Sequence, residues 1–374
     1  MSAITLICGD RVAGAAEAFA GLGELRLLAA ERIDAAAVRD ADALVVRSTT
    51  RIDAGLVDGS RLRFVGSATV GVDHVDRAAL AARGIAFAAA PGSSAASVAE
   101  FTWTAIVLAA NRLGVPWRDR RLGVVGAGAI GERVARAGEG FGLAVRRLDP
   151  PRAAREPGAG LAADASALAD CDLVSLHLPL ENEGDHPTRD LVDAALLERL
   201  PRGAILVNTG RGATARNADL VAARRSGRLG GLVLDVWAGE PDLPAELAEV
   251  ATLLSPHLAG RSVDGLLANT RAVAEALRRH FEARGSTPAL EAGPGPELDG
   301  DLGRALASDL ETATGFLALD AEFRRRRDEG ARAFRELRDA FATRRDPTRW
   351  RGVPAASELA DFLAVLRAKV GGLS

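Results

Sequence analysis

The stretch Leu122-Gly123-Val124-Val125-Gly126-Ala127-Gly128-Ala129-Ile130-Gly131 decides the fold of this 374-residue chain. A short apolar run is followed by the spacing Gly-x-Gly-x-x-Gly, and a stretch with helical spacing begins near its end. In a strand–turn–helix unit of this kind, Gly126 permits the tight turn and Gly128 lets the backbone approach a pyrophosphate. Gly131 lets the helix pack close to the sheet. A glycine turn that opens a helix and binds nothing is the alternative, and its surroundings argue against it.

The rest of the predicted cofactor site lies around this turn. The free N–H groups of Ala129 and Ile130 begin the helix, where its dipole favours phosphate groups. Asp149 follows Gly131 by 18 residues, at the predicted end of the next strand. It can accept hydrogen bonds from a ribose 2′-hydroxyl, and its charge repels a 2′-phosphate, so NAD is favoured over NADP. Three neighbouring cations weaken that preference: Arg146, Arg147 and Arg152.

Short apolar runs alternate with Ala-rich helical stretches on both sides of the turn. This alternation predicts an α/β protein with parallel sheets covered on both faces. One doubly wound domain is predicted from six runs: Leu122–Val125, Ala144–Leu148, Leu173–Leu176, Ala204–Val207, Gly231–Leu234 and Thr252–Leu254. Earlier runs predict a second sheet: Ile4–Cys8, Ala43–Arg47, Phe64–Ser67 and Ile85–Ala88.

After a Pro- and Gly-rich linker at 288–296, the sequence predicts a third block with two helical stripes. The first stripe is Phe334, Leu337 and Phe341; the second is Leu359, Leu363, Leu366 and Val370. The run Arg324-Arg325-Arg326-Arg327 could mark a nucleic-acid patch. A solvated or partner-facing helix surface is the alternative that we favour, because acidic residues follow it.

Composition excludes several classes of protein. The formal net charge of −3 gives no global basic field for nucleic acid. Only Cys8 and Cys171 are present, which is too few for a disulfide framework and suits a reducing cytosol. The sequence shows neither a signal peptide nor an apolar run long enough to span a membrane, so we expect a cytoplasmic protein with no membrane partner.

Three polar segments each follow a predicted strand of the doubly wound domain. Such segments meet at the carboxyl edge of the sheet, where ligands bind in these folds. The segments are Asn208–Gly212, Leu234–Pro241 and Ser255–Gly260.

These segments contain the groups that oxidation of an alcohol by NAD requires. His257 suits the role of base, because an imidazole titrates near neutral pH. Glu240 can pair with His257 and hold its tautomer, and Arg211 offers a planar fork to a carboxylate. Singly, each has an ordinary structural explanation; together, beside a dinucleotide turn, they predict a dehydrogenase. Metal-dependent hydrolysis is not favoured, because the histidines show no metal-ligand spacing. We expect His177 to be a packed strand-end residue and not a second base.

The segments resemble the signature of the D-isomer-specific 2-hydroxyacid dehydrogenases. The resemblance implies a Rossmann-type NAD domain inserted in a flavodoxin-like substrate domain, and a catalytic set of Arg211, Glu240 and His257. It further implies Asp149 as the ribose-binding acid and Asp235 as an acid facing the nicotinamide. Further cofactor positions are Thr209, Gly260 and position 178, where the family has Thr and this chain has Leu178.

Within the family, the resemblance is strongest to a branch whose substrate is a small phosphorylated 2-hydroxy acid and whose subunits form homodimers. It rests on Val46–Thr50, Phe64–Asp76, Ala90–Gly92 and Asp149–Arg152. Ser48 and Thr69 match substrate-binding positions. We expect Arg47 and Ser48 to bind the substrate phosphate. Arg261, where the family has an aromatic residue, either adds a cation for that phosphate or marks a changed substrate.

The resemblance implies three domains, the last a small α/β dimerisation domain. Their predicted bounds are 1–93 with 268–288 for the substrate domain, 94–267 for the NAD domain and 289–374 for the dimerisation domain. Two other functions stay open at this point. One is a different D-2-hydroxy-acid dehydrogenase, such as one acting on 3-phosphoglycerate, and the other is a non-catalytic NAD-sensing protein.

Overall fold

The computed structural model describes residues 4–283, 285–298, 302 and 305–371, which form two compact units. The first unit takes the chain up to Ser94 together with Val263–Gly293. The second takes Ala95–Ser262 together with the chain from Pro294 onward. The three domain ranges predicted from the sequence stay predictions. In the described residues, no helix is both long enough and apolar enough to cross a membrane.

The first unit is built on a five-stranded sheet in which all neighbouring strands are parallel. Its strands are β1 (Ile4–Gly9), β2 (Gly23–Leu28), β3 (Ala43–Val46), β4 (Phe64–Ser67) and β5 (Ala86–Ala88). Their order, 2-1-3-4-5, is that of flavodoxin-like folds, as the resemblance implied. Strand β2 was not predicted, because it lies at the sheet edge and its charged residues interrupt the apolar pattern.

Five helices belong to this unit: α1 (Ala15–Ala18), α2 (Ala35–Val38), α3 (Ala54–Val57), α4 (Arg77–Ala82) and α11 (Val263–His280). The last of them comes from the distant segment of the chain and packs on the sheet with Val273 and Leu277 fully buried. Gly66 in β4 makes room for it, since a Cβ atom there would lie 2.4 Å from Val273 Cγ1. Part of the core of the first unit is therefore supplied by residues encoded far downstream.

The second unit is built on a seven-stranded parallel sheet. Its strands are β6 (Arg121–Val125), β7 (Ala144–Leu148), β8 (Leu161–Ala162), β9 (Leu173–Leu176), β10 (Ala204–Asn208), β11 (Leu229–Leu234) and β12 (Leu253–Leu254). The order β8-β7-β6-β9-β10-β11-β12 is the Rossmann order 3-2-1-4-5-6 with one strand added. All six predicted strands are confirmed, and the two-residue β8 is new.

Six helices follow these strands or precede the first: α5 (Ala95–Leu113), α6 (Ala129–Gly140), α7 (Pro150–Arg155), α8 (Ala194–Arg199), α9 (Asn217–Arg225) and α10 (Ala245–Val250). Helix α5 is buried along most of its length, as expected of a helix between two packed layers. Its Trp103 contacts Phe141 at the end of α6, with ring centroids 4.9 Å apart.

The C-terminal block contains four helices: α12 (Leu306–Thr314), α13 (Phe316–Arg325), α14 (Ala331–Ala340) and α15 (Glu358–Lys369). Both predicted apolar stripes fall on helices, on α14 with the turn after it and on α15 with the residue after it. The predicted α/β character of this block differs from the structure. Its described residues hold no strand and only an isolated bridge between Glu297 and Arg351.

The run Arg324–Arg327 lies at the end of α13. We interpreted it as a solvated or partner-facing helix surface, and this is right for only two of its four residues. Arg324 is turned inward, where it donates hydrogen bonds to Asp320 and to the carbonyl of Ala251, at 2.8 and 3.0 Å. Arg326 is 15% exposed and pairs with Glu329 at 2.8 Å. The other two arginines pair with neighbouring acids at the surface. The run therefore mainly ties helices together and is not a uniformly solvated face.

Candidate active site

The glycine turn has the geometry that a dinucleotide requires. Gly126 has φ 88°, and a Cβ there would lie 2.7 Å from the carbonyl oxygen of His177. At Gly131, a Cβ would lie 1.9 Å from the carbonyl oxygen of Gly126, so only glycine lets α6 begin this close to β6. At Gly128, the N-cap of α6, an added Cβ meets nothing within 4 Å. The space beside Gly128 at the start of α6 is therefore open, as a helix N-terminus that binds a pyrophosphate requires.

Asp149 ends β7 and faces this turn. Its carboxylate accepts hydrogen bonds from the amide of Ala127 at 3.0 Å and from the amide of Arg152, at the start of α7, also at 3.0 Å. The arginines that weakened the prediction of NAD are all engaged by acids. Arg147 and Arg152 share Glu132, at 3.3 and 2.7 Å, and Arg146 lies 3.7 Å from Asp170. The carboxylate of Asp149 therefore sets the charge beside the turn.

His257 and Glu240 are paired, as predicted. Nδ1 of the imidazole lies 2.9 Å from Oε1 of the carboxylate, and the two side chains are 30% and 27% exposed. A carboxylate can only accept, so Nδ1 carries the hydrogen and Nε2 keeps a lone pair for a substrate proton. In the described residues, Glu240 Oε2 is buried and has no protein partner.

Asp235 lies beneath the loop that carries His257. Its carboxylate is fully buried and accepts hydrogen bonds from Ser255 Oγ and Leu258 N, each at 2.6 Å, and from Ala259 N at 3.0 Å. Burial raises the pKa of Asp235. The charge of His257 and these hydrogen bonds oppose the rise without cancelling it. The structure thus gives Asp235 a role in holding the loop that sequence reasoning missed. A contact with nicotinamide stays a prediction.

Arg211 directly follows the strand that ends in Asn208. The side chain of Asn208 accepts from the amide of Gly210 at 3.0 Å and donates to the carbonyl of Arg211 at 3.2 Å. Gly212 lies against Trp237, since a Cβ there would lie 2.0 Å from its carbonyl carbon. That close approach brings the arginine loop beside the loop carrying Glu240. Asn208 is a second residue that sequence reasoning missed, although an Asn before a glycine turn is a signal for this bonding.

The remaining predicted cofactor residues follow β9, β10 and β12. Thr209 is buried, and its hydroxyl lies 3.1 Å from that of Thr102 on α5. Leu178 is half-buried against the glycine turn, and Gly260 follows the His257 loop. His177 is buried and hydrogen-bonded to Ser175 at 2.9 Å, and burial lowers its pKa to about 3. It is therefore a neutral strand-end residue, as we expected.

The predicted substrate residues of the first unit lie where β3 and β4 end. Ser48 is exposed, and Arg47 is half-buried and donates to the carbonyl of Arg11 at 3.4 Å. Thr69 donates to the carbonyl of Gly71 at 2.7 Å and lies 2.7 Å from the hydroxyl of Ser67. These side chains share the carboxyl edge of the first sheet, where ligands bind in such folds.

Arg261, the fourth predicted substrate residue, is only 11% exposed and pairs with Asp339 on α14 at 3.0 Å. The structure thus gives it a partner within the second unit, in the C-terminal block. Binding of the substrate phosphate by Arg261 stays a prediction.

Comparison with known proteins places this geometry in a family. The description "D-isomer specific 2-hydroxyacid dehydrogenase, NAD binding domain" matches residues 85–259. The erythronate-4-phosphate dehydrogenase of Stutzerimonas stutzeri is 41% identical over 88% of this chain and 89% of its own length. The chain belongs to the D-isomer-specific 2-hydroxyacid dehydrogenases.

Two further comparisons agree. The erythronate-4-phosphate dehydrogenase of Salinibacter ruber is 43% identical over 74% of this chain and 72% of its own. A solved NADPH-dependent glyoxylate/hydroxypyruvate reductase from Sinorhizobium meliloti, in complex with NADP and malonate, is 27% identical. It matches with a TM-score of 0.64 over 75% of this chain and 95% of its own. As a 2-hydroxyacid dehydrogenase, the protein uses NAD as its hydride acceptor, in agreement with the glycine turn and Asp149.

Proposed function

We propose that this dehydrogenase oxidises 4-phospho-D-erythronate to (R)-3-hydroxy-2-oxo-4-phosphooxybutanoate with NAD, in the biosynthesis of pyridoxal 5′-phosphate. The observation that carries the reaction type is the His257–Glu240 pair on a strand-end loop of the NAD-binding sheet. The choice of substrate is supported by relatives named erythronate-4-phosphate dehydrogenase that match along most of the chain.

The residues of this chain supply the base, its carboxylate partner and the cation that the reaction needs, and NAD supplies the hydride acceptor. His257 Nε2 removes the proton of the C2 hydroxyl, and the hydride leaves the same carbon. Glu240 holds Nδ1 and stabilises the imidazolium that forms. Arg211 binds the C1 carboxylate and polarises the developing carbonyl oxygen, since its guanidinium cannot lose its charge.

The substrate phosphate requires a second group of donors. Arg47, Ser48 and Thr69 follow strands of the first unit and supply a cation and two hydroxyls. Arg261 is a further candidate for a phosphate ligand. If neither Arg47→Ala nor Arg261→Ala changed kcat/KM for the phosphorylated substrate, this assignment would be wrong.

The decisive experiment is a screen of NAD reduction with 4-phosphoerythronate, 3-phosphoglycerate, D-lactate and D-glycerate. We expect the first to give the highest kcat/KM. A preference for 3-phosphoglycerate would show a different dehydrogenase of the family, and binding of NAD without turnover of any substrate would show a sensing protein. His257→Ala is the matched variant. It should lower kcat by about 10³-fold while NAD binding persists, and near-normal turnover would contradict the role of His257 as base.

We further infer that the enzyme works in the cytosol as a homodimer. Cys8 and Cys171 are both free and buried, which suits a reducing compartment. The relatives' branch and the extra C-terminal block motivate the dimer. Light scattering on the purified full chain tests it, and a mass of one chain at micromolar concentration would contradict it.

A further inference from the structure

The peptide group between His257 and Leu258 is held at both ends by charged side chains of opposite sign. Its N–H, on Leu258, donates to the buried carboxylate of Asp235 at 2.6 Å. Its C=O, on His257, accepts from Nε of Arg338 at 3.2 Å. The rotation of this peptide plane is therefore fixed from two directions, by a residue after β11 and by one on α14.

The backbone at His257 needs such support. His257 has φ 55°, in the left-handed region that residues with a Cβ adopt only when their surroundings impose it. Its own N–H donates to the carbonyl of Asp235 at 2.8 Å, so the amide side of the loop is anchored on β11 and Asp235. The carbonyl of His257 faces the C-terminal block. Without a donor there, the peptide would be held only through its N–H, and the backbone that directs the imidazole towards Glu240 would be less firmly fixed.

Arg338 is placed to provide that donor. It lies in the last turn of α14, half-buried, with its guanidinium 5.6 Å from the ring centre of Phe334. Burial lowers the pKa of Arg338, and the nearby charges of Asp235 and Glu240 oppose this effect. Because a guanidinium keeps its proton, the donor persists at every working pH.

A second tie reinforces the first. Arg344 Nη2 donates to the carbonyl of Ala259 at 3.0 Å, two residues after His257. Nearby, Phe323 and Phe334 pack against Trp237 in the loop that carries Glu240, with centroids 5.7 and 5.9 Å away. The same helical block thus contacts the two loops that carry the catalytic pair.

We propose that Arg338 is a positioning residue for proton transfer. It holds the His257–Leu258 peptide so that the imidazole meets Glu240 and faces the substrate hydroxyl. The C-terminal block is then part of the catalytic apparatus in its own chain. The proposal rests on His257 acting as the base in the proposed function.

Three variants test it: Arg338→Met, which removes the donor; Arg338→Lys, which keeps a charged donor; and Arg335→Met, which alters an exposed arginine of the same helix. We expect Arg338→Met to lower kcat by about 10- to 100-fold, while KM for NAD stays within about twofold. Arg338→Lys should recover most of the loss, and Arg335→Met should behave as wild type. With C2-deuterated substrate, the isotope effect on kcat should rise in Arg338→Met alone.

Hydrogen exchange supplies a readout that does not need turnover. In Arg338→Met, amides of residues 255–261 should exchange faster, while the rest of the chain is unchanged. Wild-type kcat, or unchanged exchange in this segment, would overturn the positioning role. An equal loss in Arg338→Lys, accompanied by exchange rising across the whole unit, would show a merely structural role. Should the wild type turn over none of the four substrates, the proposed function fails, and the exchange result alone decides whether Arg338 holds the loop.

Discussion

At the scale of single residues, Asp149 combines two tasks. Each of its carboxylate oxygens accepts one backbone hydrogen bond, from Ala127 in the glycine turn and from Arg152 at the start of α7. A carboxylate oxygen has two lone pairs, so both retain capacity for a ribose hydroxyl. Asp149 thus caps a helix, and we propose that its charge also selects the cofactor.

These tasks can be separated by Asp149→Ser. Serine is a good helix cap, so α7 and the fold should persist, whereas the negative charge that repels a 2′-phosphate is lost. We expect the ratio of kcat/KM for NADP to that for NAD to rise by about tenfold or more. Asp164→Ser is the control, because Asp164 also caps a short helix. An unchanged ratio in a folded Asp149→Ser variant would show that something else excludes NADP.

The sequence predicted the site residues whose role follows from spacing alone. The glycine turn and the pairing of Glu240 with His257 needed only strand ends and residue chemistry. The structure shows the geometry of both, while their roles in NAD binding and catalysis stay predictions. The loop-holding role of Asp235 and the role of Arg338 could not be predicted in this way. Each depends on which backbone group a loop turns towards it, and Arg338 lies 81 residues beyond the carbonyl that it binds.

At the scale of elements, the start of α6 shows two glycines with opposite surroundings. The absent Cβ of Gly131 would collide with the backbone of Gly126, whereas that of Gly128 would stand in open space. Gly131 is therefore required for the turn to fold. Gly128 is required only once a pyrophosphate occupies the space before it.

This contrast predicts two different losses. Gly128→Ala should keep the melting temperature of the wild type and weaken NAD binding by about tenfold or more, because its methyl group lies where the backbone should approach the ligand. Gly131→Ala should lower the melting temperature as well, since β6 and α6 must move apart. Calorimetry of binding and of unfolding measures both effects. Equal melting temperatures for the two variants would contradict the interpretation.

Element prediction succeeded where the apolar spacing was regular and failed where it was not. Five of the six predicted strands of the NAD-binding sheet are largely apolar, and β7, which contains Arg146 and Arg147, is the exception. Strand β2 has charges at two of its six positions and no buried residue. The helices of the C-terminal block were visible in the stripes on α14 and α15. Their predicted α/β setting came from resemblance and not from the residues, and the described part of the block contains helices, turns and loops with one isolated bridge.

At the scale of the whole molecule, α5 is joined to the C-terminal block through a buried acid. Glu100 accepts hydrogen bonds from the amide and the hydroxyl of Thr348, both at 2.9 Å. Burial, and then the neighbouring Asp346, raise the pKa of Glu100 to about 8, while Thr348 and Arg344 act in the opposite direction. Because its pKa is raised in the folded protein, protonated Glu100 contributes to the stability of the fold. This contribution is fully present below the pKa of the unfolded chain, near 4.5, and is lost as the pH rises through the folded pKa of about 8.

Glu100→Gln should therefore gain stability relative to the wild type as the pH rises from 6 to 8.5. Glutamine keeps an acceptor for the amide and cannot ionise. The difference in melting temperature should grow by about 3 °C or more, given about 2–4 °C per kcal/mol for domains of 150–250 residues. Thermal unfolding at four pH values measures it, and the exposed Glu249→Gln serves as control. A difference that does not vary with pH would contradict the assignment.

The packing of α11 on the first sheet has a consequence for how the protein is made. Strands β1 to β5 leave the ribosome early, but Val273 and Leu277, which complete their core, are translated some two hundred residues later. The second unit waits in turn for its C-terminal helices. Domains usually fold in order as they emerge. Here the nascent chain must carry one apolar face of the first sheet without its covering helix until α11 has been made, so a chain interrupted before α11 would expose an aggregation-prone face.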